Sequence, residues 1–283
     1  MTRSILITGC SSGIGHHAAH ALQKRGYRVF ATARKEEDVQ RLLAEGLTDA
    51  CLLDLDCSHS ITNAVEHILQ KTGGTLDALF NNGAYGIPGA VEDLSRDSLR
   101  QQFETNLFGW HELTCQVLPI MRQQGHGRII QNSSVLGLIT MQYRGAYNAS
   151  KFALEGLTDT LRQELNGTGI HISLIEPGPI TSRFRENAYQ QFKQHIDPAN
   201  SAHRSVYEAV ERRLATADTK DGGAFTLGPE AVTKCLIHAL ENSSPKARYY
   251  VTFPTYLFGW LRRILSTRML DRILLRVSDE ENH

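Results

Sequence analysis

The sequence predicts an α/β fold, a doubly wound parallel sheet of about seven strands in a single domain. Two observations carry this expectation. Short apolar runs alternate with longer amphipathic segments almost from end to end, the pattern of a sheet covered by helices on both faces. The runs 5–7 and 172–175 are apolar throughout or nearly so, as strands buried on both sides tend to be.

Taken in order, strands are expected at 4–8, 28–33, 50–53, 78–81, 128–133, 170–176 and 248–252. Helices are expected at 13–25, 36–45, 60–71, 95–123 (one helix or two) and 147–166. The polar stretch 182–228, ending in Asp221-Gly222-Gly223, reads as a long irregular excursion. An excursion of that length inside a compact domain is usually functional, and it is expected to cover a substrate cleft. Residues 1–254 are read as the domain and 255–283 as an amphipathic extension.

Composition narrows the partners. Thirty basic and thirty acidic residues cancel, so no global field favours nucleic acid. Five scattered cysteines without a C-x-x-C pair read as reduced thiols in a cytoplasmic protein rather than a disulfide framework or a zinc site. The N-terminus runs directly into a strand, which predicts no signal peptide, and no apolar run approaches the length of a membrane span.

The first strand ends in Thr8-Gly9-Cys10-Ser11-Ser12-Gly13-Ile14-Gly15 and opens the first helix. Glycines there permit a tight turn and close approach of backbone to a pyrophosphate at the helix N-terminus, the Rossmann-like arrangement. Gly9, Ser11, Ser12, Gly13, Ile14 and Gly15 are therefore cofactor candidates. An acid at the end of the second strand would select NAD; here it reads Ala33-Arg34, and Arg34 suits the 2′-phosphate of NADP. After the third strand, Asp54-Leu55 joins the candidate pocket: Asp54 is placed to accept from the adenine amino group, with helix capping as the alternative use of that carboxylate.

Tyr147 and Lys151 stand four apart, on one face of a helix. A phenol and an ammonium titrate near ~10 and ~10.4 when unperturbed, and a nearby positive charge lowers the phenol. Lys151 is thus expected to make Tyr147 the more acidic group. Ser134 falls at the carboxyl end of the strand 128–133, where open α/β sheets bind their ligands. Its hydroxyl can hold a carbonyl oxygen that Tyr147 protonates.

With these residues in hand, the chain is identified as a member of the short-chain dehydrogenase/reductase family. The resemblance rests on the glycine loop, on Ser134, Tyr147 and Lys151, and on the turn Pro177-Gly178. It implies that Asn106 binds a water in a proton relay to Lys151 and that Asn81 supports the sheet beside the cofactor. It also places Pro177, Gly178, Ile180 and Ser182 at the nicotinamide, with Thr181 competing with Ser182, and it gives Tyr147 and Lys151 cofactor contacts of their own. Asn81-Asn82-Gly83-Ala84 departs from the family's N-N-A-G by exchanging its last two residues. The segments 175–180 and 226–231 and the long tail look like bacterial NADP-dependent aldehyde reductases of the YbbO kind, relatives of the retinol and 17β-hydroxysteroid dehydrogenases.

The resemblance implies transfer of hydride between NADP(H) and a small hydrophobic carbonyl or alcohol, as a reductase, in a homodimer or homotetramer. A non-catalytic NADP sensor on the same fold is the alternative. Phe184, Tyr189, Phe192, Tyr143 and Met141 are candidates to line an apolar pocket, or are packing. His16 and His20, one turn apart, show no third ligand, so no metal is expected. In the tail, Leu257, Leu261, Ile264 and Leu265, then Met269, Leu270, Ile273 and Leu274, recur at helical spacing among five arginines and one aspartate between 255 and 276. Such a segment can lie on an anionic membrane or pack over the excursion as a lid. The lid is preferred, because apolar substrates need a covered cleft.

Overall fold

In the computed structural model, which describes residues 2–215 and 225–282, strand β1 (Ser4–Ile7) is wholly buried near the middle of a sheet. Its companions are β2 (Arg28–Ala33), β3 (Cys51–Leu52), β4 (Ala78–Asn81), β5 (Gly127–Asn132), β6 (Ile170–Glu176) and β7 (Arg248–Tyr250). The seven strands lie in the order β3-β2-β1-β4-β5-β6-β7, every neighbouring pair parallel. The expected Rossmann-like fold is therefore present.

Parallel neighbours require crossovers, and helices supply them on both faces. On one face α1 (Gly13–Lys24), α2 (Glu36–Ala44) and α9 (Pro229–Glu241) bury Ala18, Leu22, Leu42 and Leu236 against β1 and β2. On the other, α3 (Ser58–Thr72), α5 (Gly109–Gln124) and α6 (Gly145–Glu164) bury Ile61, Trp110, Leu113 and Leu154. The expected segment 95–123 divides into α4 (Arg96–Phe103), a five-residue π turn at Glu104–Phe108, and α5. Single π turns inside helices often mark functional sites, and this one carries Asn106.

The excursion is not irregular where it is described. It contains α7 (Phe184–His195) and α8 (Arg204–Ala215). Their period is sparse but real: Ala188 and Phe192 on α7, with Tyr207 and Val210 on α8, are buried in a common cluster, while most intervening positions are polar. That polarity hid both helices from a reading by apolar runs. The Asp221-Gly222-Gly223 turn lies outside the described residues. The two stripes of the tail become α10 (Phe253–Ile264) and α11 (Thr267–Asn282). Phe258 and Leu274 pack with Ile139 and Val135, just beyond the end of β5.

Candidate active site

The strand order reverses between β1 and β4, and ligands of open α/β sheets bind at such a switch point. Two loops leave the sheet there. Gly9 has φ +69°, and a Cβ built on it would lie 2.5 Å from Gly83 Cα; one built on Gly13 (φ +59°) would lie 2.9 Å from Ser182 Cβ. Side chains at either position would collide, so glycine is required by both conformation and space. The N-cap of α1, Ser12, makes no side-chain capping hydrogen bond, which leaves the amide groups of the first turn available to an anion.

The loop is held by a residue to which the sequence reading assigned no role. Asn82 donates from Nδ2 to the carbonyls of Thr8 (3.0 Å) and Gly9 (3.2 Å), and its Oδ1 accepts from Asn132 Nδ2 (2.9 Å). Thr8 Oγ1 accepts from the amides of Asn82 and Gly83 at 2.8 and 2.9 Å. Asn81, the expected supporter of the sheet, reaches instead to Thr114 Oγ1 at 3.1 Å. The Gly83-Ala84 exchange is explained here: Gly83 is where Gly9 crosses, while Ala84 packs against the core that contains Trp110. Arg41 donates to Ser11 O at 2.7 Å and ties α2 to the same loop.

At the end of β2, Ala33 is buried and Arg34 exposed, with no acid between the strand and α2. Asp54 Oδ1 accepts from Asp56 N at 3.1 Å, closing the turn after β3, and Leu55 turns its side chain into the core. Leu55 can therefore offer the cofactor only its backbone. Across the crevice, Pro177 O accepts from Val135 N at 2.8 Å, joining the Pro177-Gly178 turn to the Ser134 turn. Gly178 abuts the hydroxyls of Thr252 and Thr255, and Ile180 bridges to Leu227. Thr181 is exposed whereas Ser182 is turned in against Gly13, so the competition between them resolves in favour of Ser182.

Ser134, Tyr147 and Lys151 meet at the carboxyl end of β5. The Ser134 hydroxyl accepts from Leu136 N at 3.1 Å and hydrogen-bonds the Tyr147 phenol. Lys151 is 1% exposed; its Nζ donates to Asn132 O at 2.9 Å and lies 4.3 Å from the centre of the Trp110 ring. The expected acidification of Tyr147 is not what this arrangement produces. Burial pushes the phenol up to about 12, against the lowering effects of Ser134 and the Arg144 charge. Burial likewise brings Lys151 down to about 7, against the Glu155 charge. Desolvation outweighs the i, i+4 pairing because Nζ is aimed at Asn132 O, 5.6 Å from the Tyr147 ring centre.

Asn106 is fully buried in the π turn. Its side chain accepts from Tyr85 N (3.2 Å) and donates to Tyr85 O (2.9 Å) and Ser150 Oγ (3.3 Å), beside α6. Behind the site, Arg248 of β7 binds Glu155 and Asp159 of α6 (the latter at 2.6 Å) and Glu176 at the end of β6 (2.6 Å). This clamp fixes the catalytic helix to the strand that enters Pro177-Gly178. Burial first, and the Glu155 charge second, push Glu176 up to about 8 despite Arg248.

Of the proposed pocket residues, Phe184 meets Tyr147 edge-on at 5.3 Å between ring centres. Phe192 is core packing, and Tyr189 bonds Glu211 at the surface. Met141 and Tyr143 line a separate cleft of ≈ 430 Å³ with Asn148 and Phe152 of α6. His16 and His20 do acquire a third neighbour. Glu45 Oε2 lies 2.6 and 3.0 Å from their Nε2 atoms, and the three groups could together hold a metal ion. Arg41, 3.8 Å from the other carboxylate oxygen, already partners that charge.

Residues 3–193 match the family model of the short chain dehydrogenases. The chain is similar to the uncharacterized oxidoreductase YbbO of Escherichia coli, 42% identical over 97% of this chain and 94% of the relative. It is also similar to human retinol dehydrogenase 8, 33% identical over 87% and 80% of the two chains. Among solved structures, a short chain dehydrogenase/reductase from Burkholderia phymatum in complex with NAD superposes with a TM-score of 0.77 at 24% identity, covering 93% of this chain and 92% of that one.

Proposed function

The chain belongs to the short-chain dehydrogenase family of oxidoreductases, and from that premise we propose that it is an NADP-dependent reductase of hydrophobic aldehydes and ketones. The observation that carries this reading is the meeting of the Ser134 hydroxyl, the Tyr147 phenol and the buried Lys151 beside an uncapped glycine loop. When bound, the dinucleotide supplies the hydride. The chain supplies everything else. The first turn of α1 and Gly13 receive the pyrophosphate, Arg34 the 2′-phosphate, and Asp54 the adenine amino group. Ser182, Ile180 and the Pro177-Gly178 turn border the nicotinamide, and Lys151 holds its ribose. Ser134 donates to the substrate oxygen, and Tyr147 delivers the proton.

A phenol held near 12 is protonated at neutral pH, the state a proton donor to a nascent alkoxide must occupy. This favours reduction as the working direction. Asn106, opened towards α6 by the π turn, holds the relay water that returns a proton towards Lys151. Phe184 and the helices of the excursion form the cleft wall, and α10 and α11, packed near the Ser134 turn, complete its cover; retinoid-like and steroid-like carbonyls fit such a cleft. The enzyme is read as a cytoplasmic homodimer or homotetramer, joined through the faces that leave Phe108 and Leu157 exposed. The test is NADPH and NADH oxidation across aldehydes and ketones graded in chain length and ring number. Turnover with NADPH, rising with apolar size, is expected. No turnover with any carbonyl would reject the reading.

A further inference from the structure

Helix α10 presents two opposed faces. Thr255, Phe258 and Gly259 are buried against the body of the domain. Opposite them, Phe253, Tyr256, Leu257, Trp260 and Ile264 recur every three or four residues and are 58%, 59%, 36%, 60% and 55% exposed. Phe225 widens the stripe, stacked on Phe253 at 5.2 Å between ring centres and itself 52% exposed. Single exposed apolar side chains are ordinary, but a contiguous set on one helix face marks an interaction surface.

We propose that this face docks the protein on a membrane, with α10 lying in the plane of a bilayer that carries anionic headgroups. Tryptophan and tyrosine among phenylalanine, leucine and isoleucine suit the boundary between headgroups and acyl chains. The charges fit the same partner. Helix α10 carries no acid and holds Arg262 and Arg263 at its C-terminal end; Arg268, Arg272 and Arg276 are exposed on α11 with only Asp271 among them. A second copy is the poorer occupant, because pairing two such segments would gather like charges at one interface. At a rise of about 1.5 Å per residue the helix is only about 18 Å long, and among the described residues no helix is long and apolar enough to cross a membrane. The contact is therefore peripheral. Its position is purposeful: α10 begins one residue after Thr252, whose hydroxyl abuts Gly178, so docking sets the border of the proposed cleft close to the lipid in which apolar carbonyls dissolve.

The proposal does not depend on the reaction, and its test reads no turnover. Full-length protein is mixed with vesicles of phosphatidylcholine alone, or with about one-third phosphatidylglycerol to supply anionic surface. Sedimentation with the anionic vesicles is expected, accompanied by a blue shift of Trp260 emission, since Trp110 is already buried. The double variant Tyr256→Ser, Trp260→Ser should lower the vesicle partition at least about tenfold, the loss of two interfacial anchors. Its melting temperature should be unchanged, because both side chains stand in solvent. Wild type remaining in the supernatant with both lipids overturns the proposal, as does a double variant that sediments like wild type. Self-association that is lost in the double variant while lipid is ignored assigns the face to a second copy and also overturns it.

Discussion

Replacing Asn82 with alanine tests the architecture of the cofactor cradle through a residue that touches only its supports. The side chain makes three hydrogen bonds, two to the Thr8 and Gly9 carbonyls and one from Asn132 Nδ2. Each is worth about 0.5–1.5 kcal/mol net, and a donor stranded in a buried site costs about 1–3 kcal/mol. Asn132 has no slack to absorb the loss, because its Oδ1 is already buried without a partner. A total of about 2–4 kcal/mol is at stake on this bookkeeping. The part borne by the glycine loop should appear in binding: a tenfold to hundredfold rise in the NADPH Kd corresponds to about 1.4–2.8 kcal/mol. Fluorescence titration of NADPH measures it, and thermal unfolding of the free protein measures the remainder. Thr114→Val, which unties Asn81 instead, should lower the melting temperature and leave the NADPH Kd unchanged. An Asn82→Ala protein with both Kd and melting temperature unaltered would refute the reasoning.

Cofactor choice should follow the end of β2. Ala33→Asp with Arg34→Ser should move the ratio of kcat/KM from NADPH towards NADH by roughly tenfold to a hundredfold, the loss of about 1.5–3 kcal/mol of charge-assisted bonding; equal use of the two cofactors by wild type contradicts the assignment beforehand. Lys151→Ala should weaken NADPH binding and slow turnover together, and undiminished affinity would remove its ribose contact. Glu176→Gln should change the pH dependence of stability. The native carboxyl titrates near 8 rather than near 4.5, so its contribution is full below the unfolded value and is lost as pH rises through the folded one. Melting temperatures measured from pH 5 to 8 should fall less in the variant than in wild type, and parallel curves would show that Glu176 is not the titrating group.

What was legible in the sequence was local. The strands announced themselves as apolar runs, the cradle as closely spaced glycines, and Tyr147 with Lys151 as one turn of helix. What stayed hidden was assembled across distance. Arg248 finds Glu155 and Glu176, 93 and 72 residues away, and no spacing signals that clamp. Glu45 reaches His16 and His20 from another helix. Asn82 could have been suspected, since the Asn81-Asn82 pair sits at the end of a central strand, but which of the two faced the loop depended on strand register. The helices α7 and α8 were missed because so few of their positions are apolar. The expected acidic phenol failed for a physical reason: pair attraction was counted and desolvation was not.

The central claim, that Tyr147 is the proton donor to a bound carbonyl, is tested most directly by Tyr147→Phe, which deletes one hydroxyl and keeps the ring against Phe184. Single-turnover NADPH oxidation with the best carbonyl of the substrate series should slow by about 10²–10⁴-fold, with the NADPH Kd within about twofold of wild type. A variant that oxidises NADPH at the wild-type rate in the presence of that carbonyl would contradict the account.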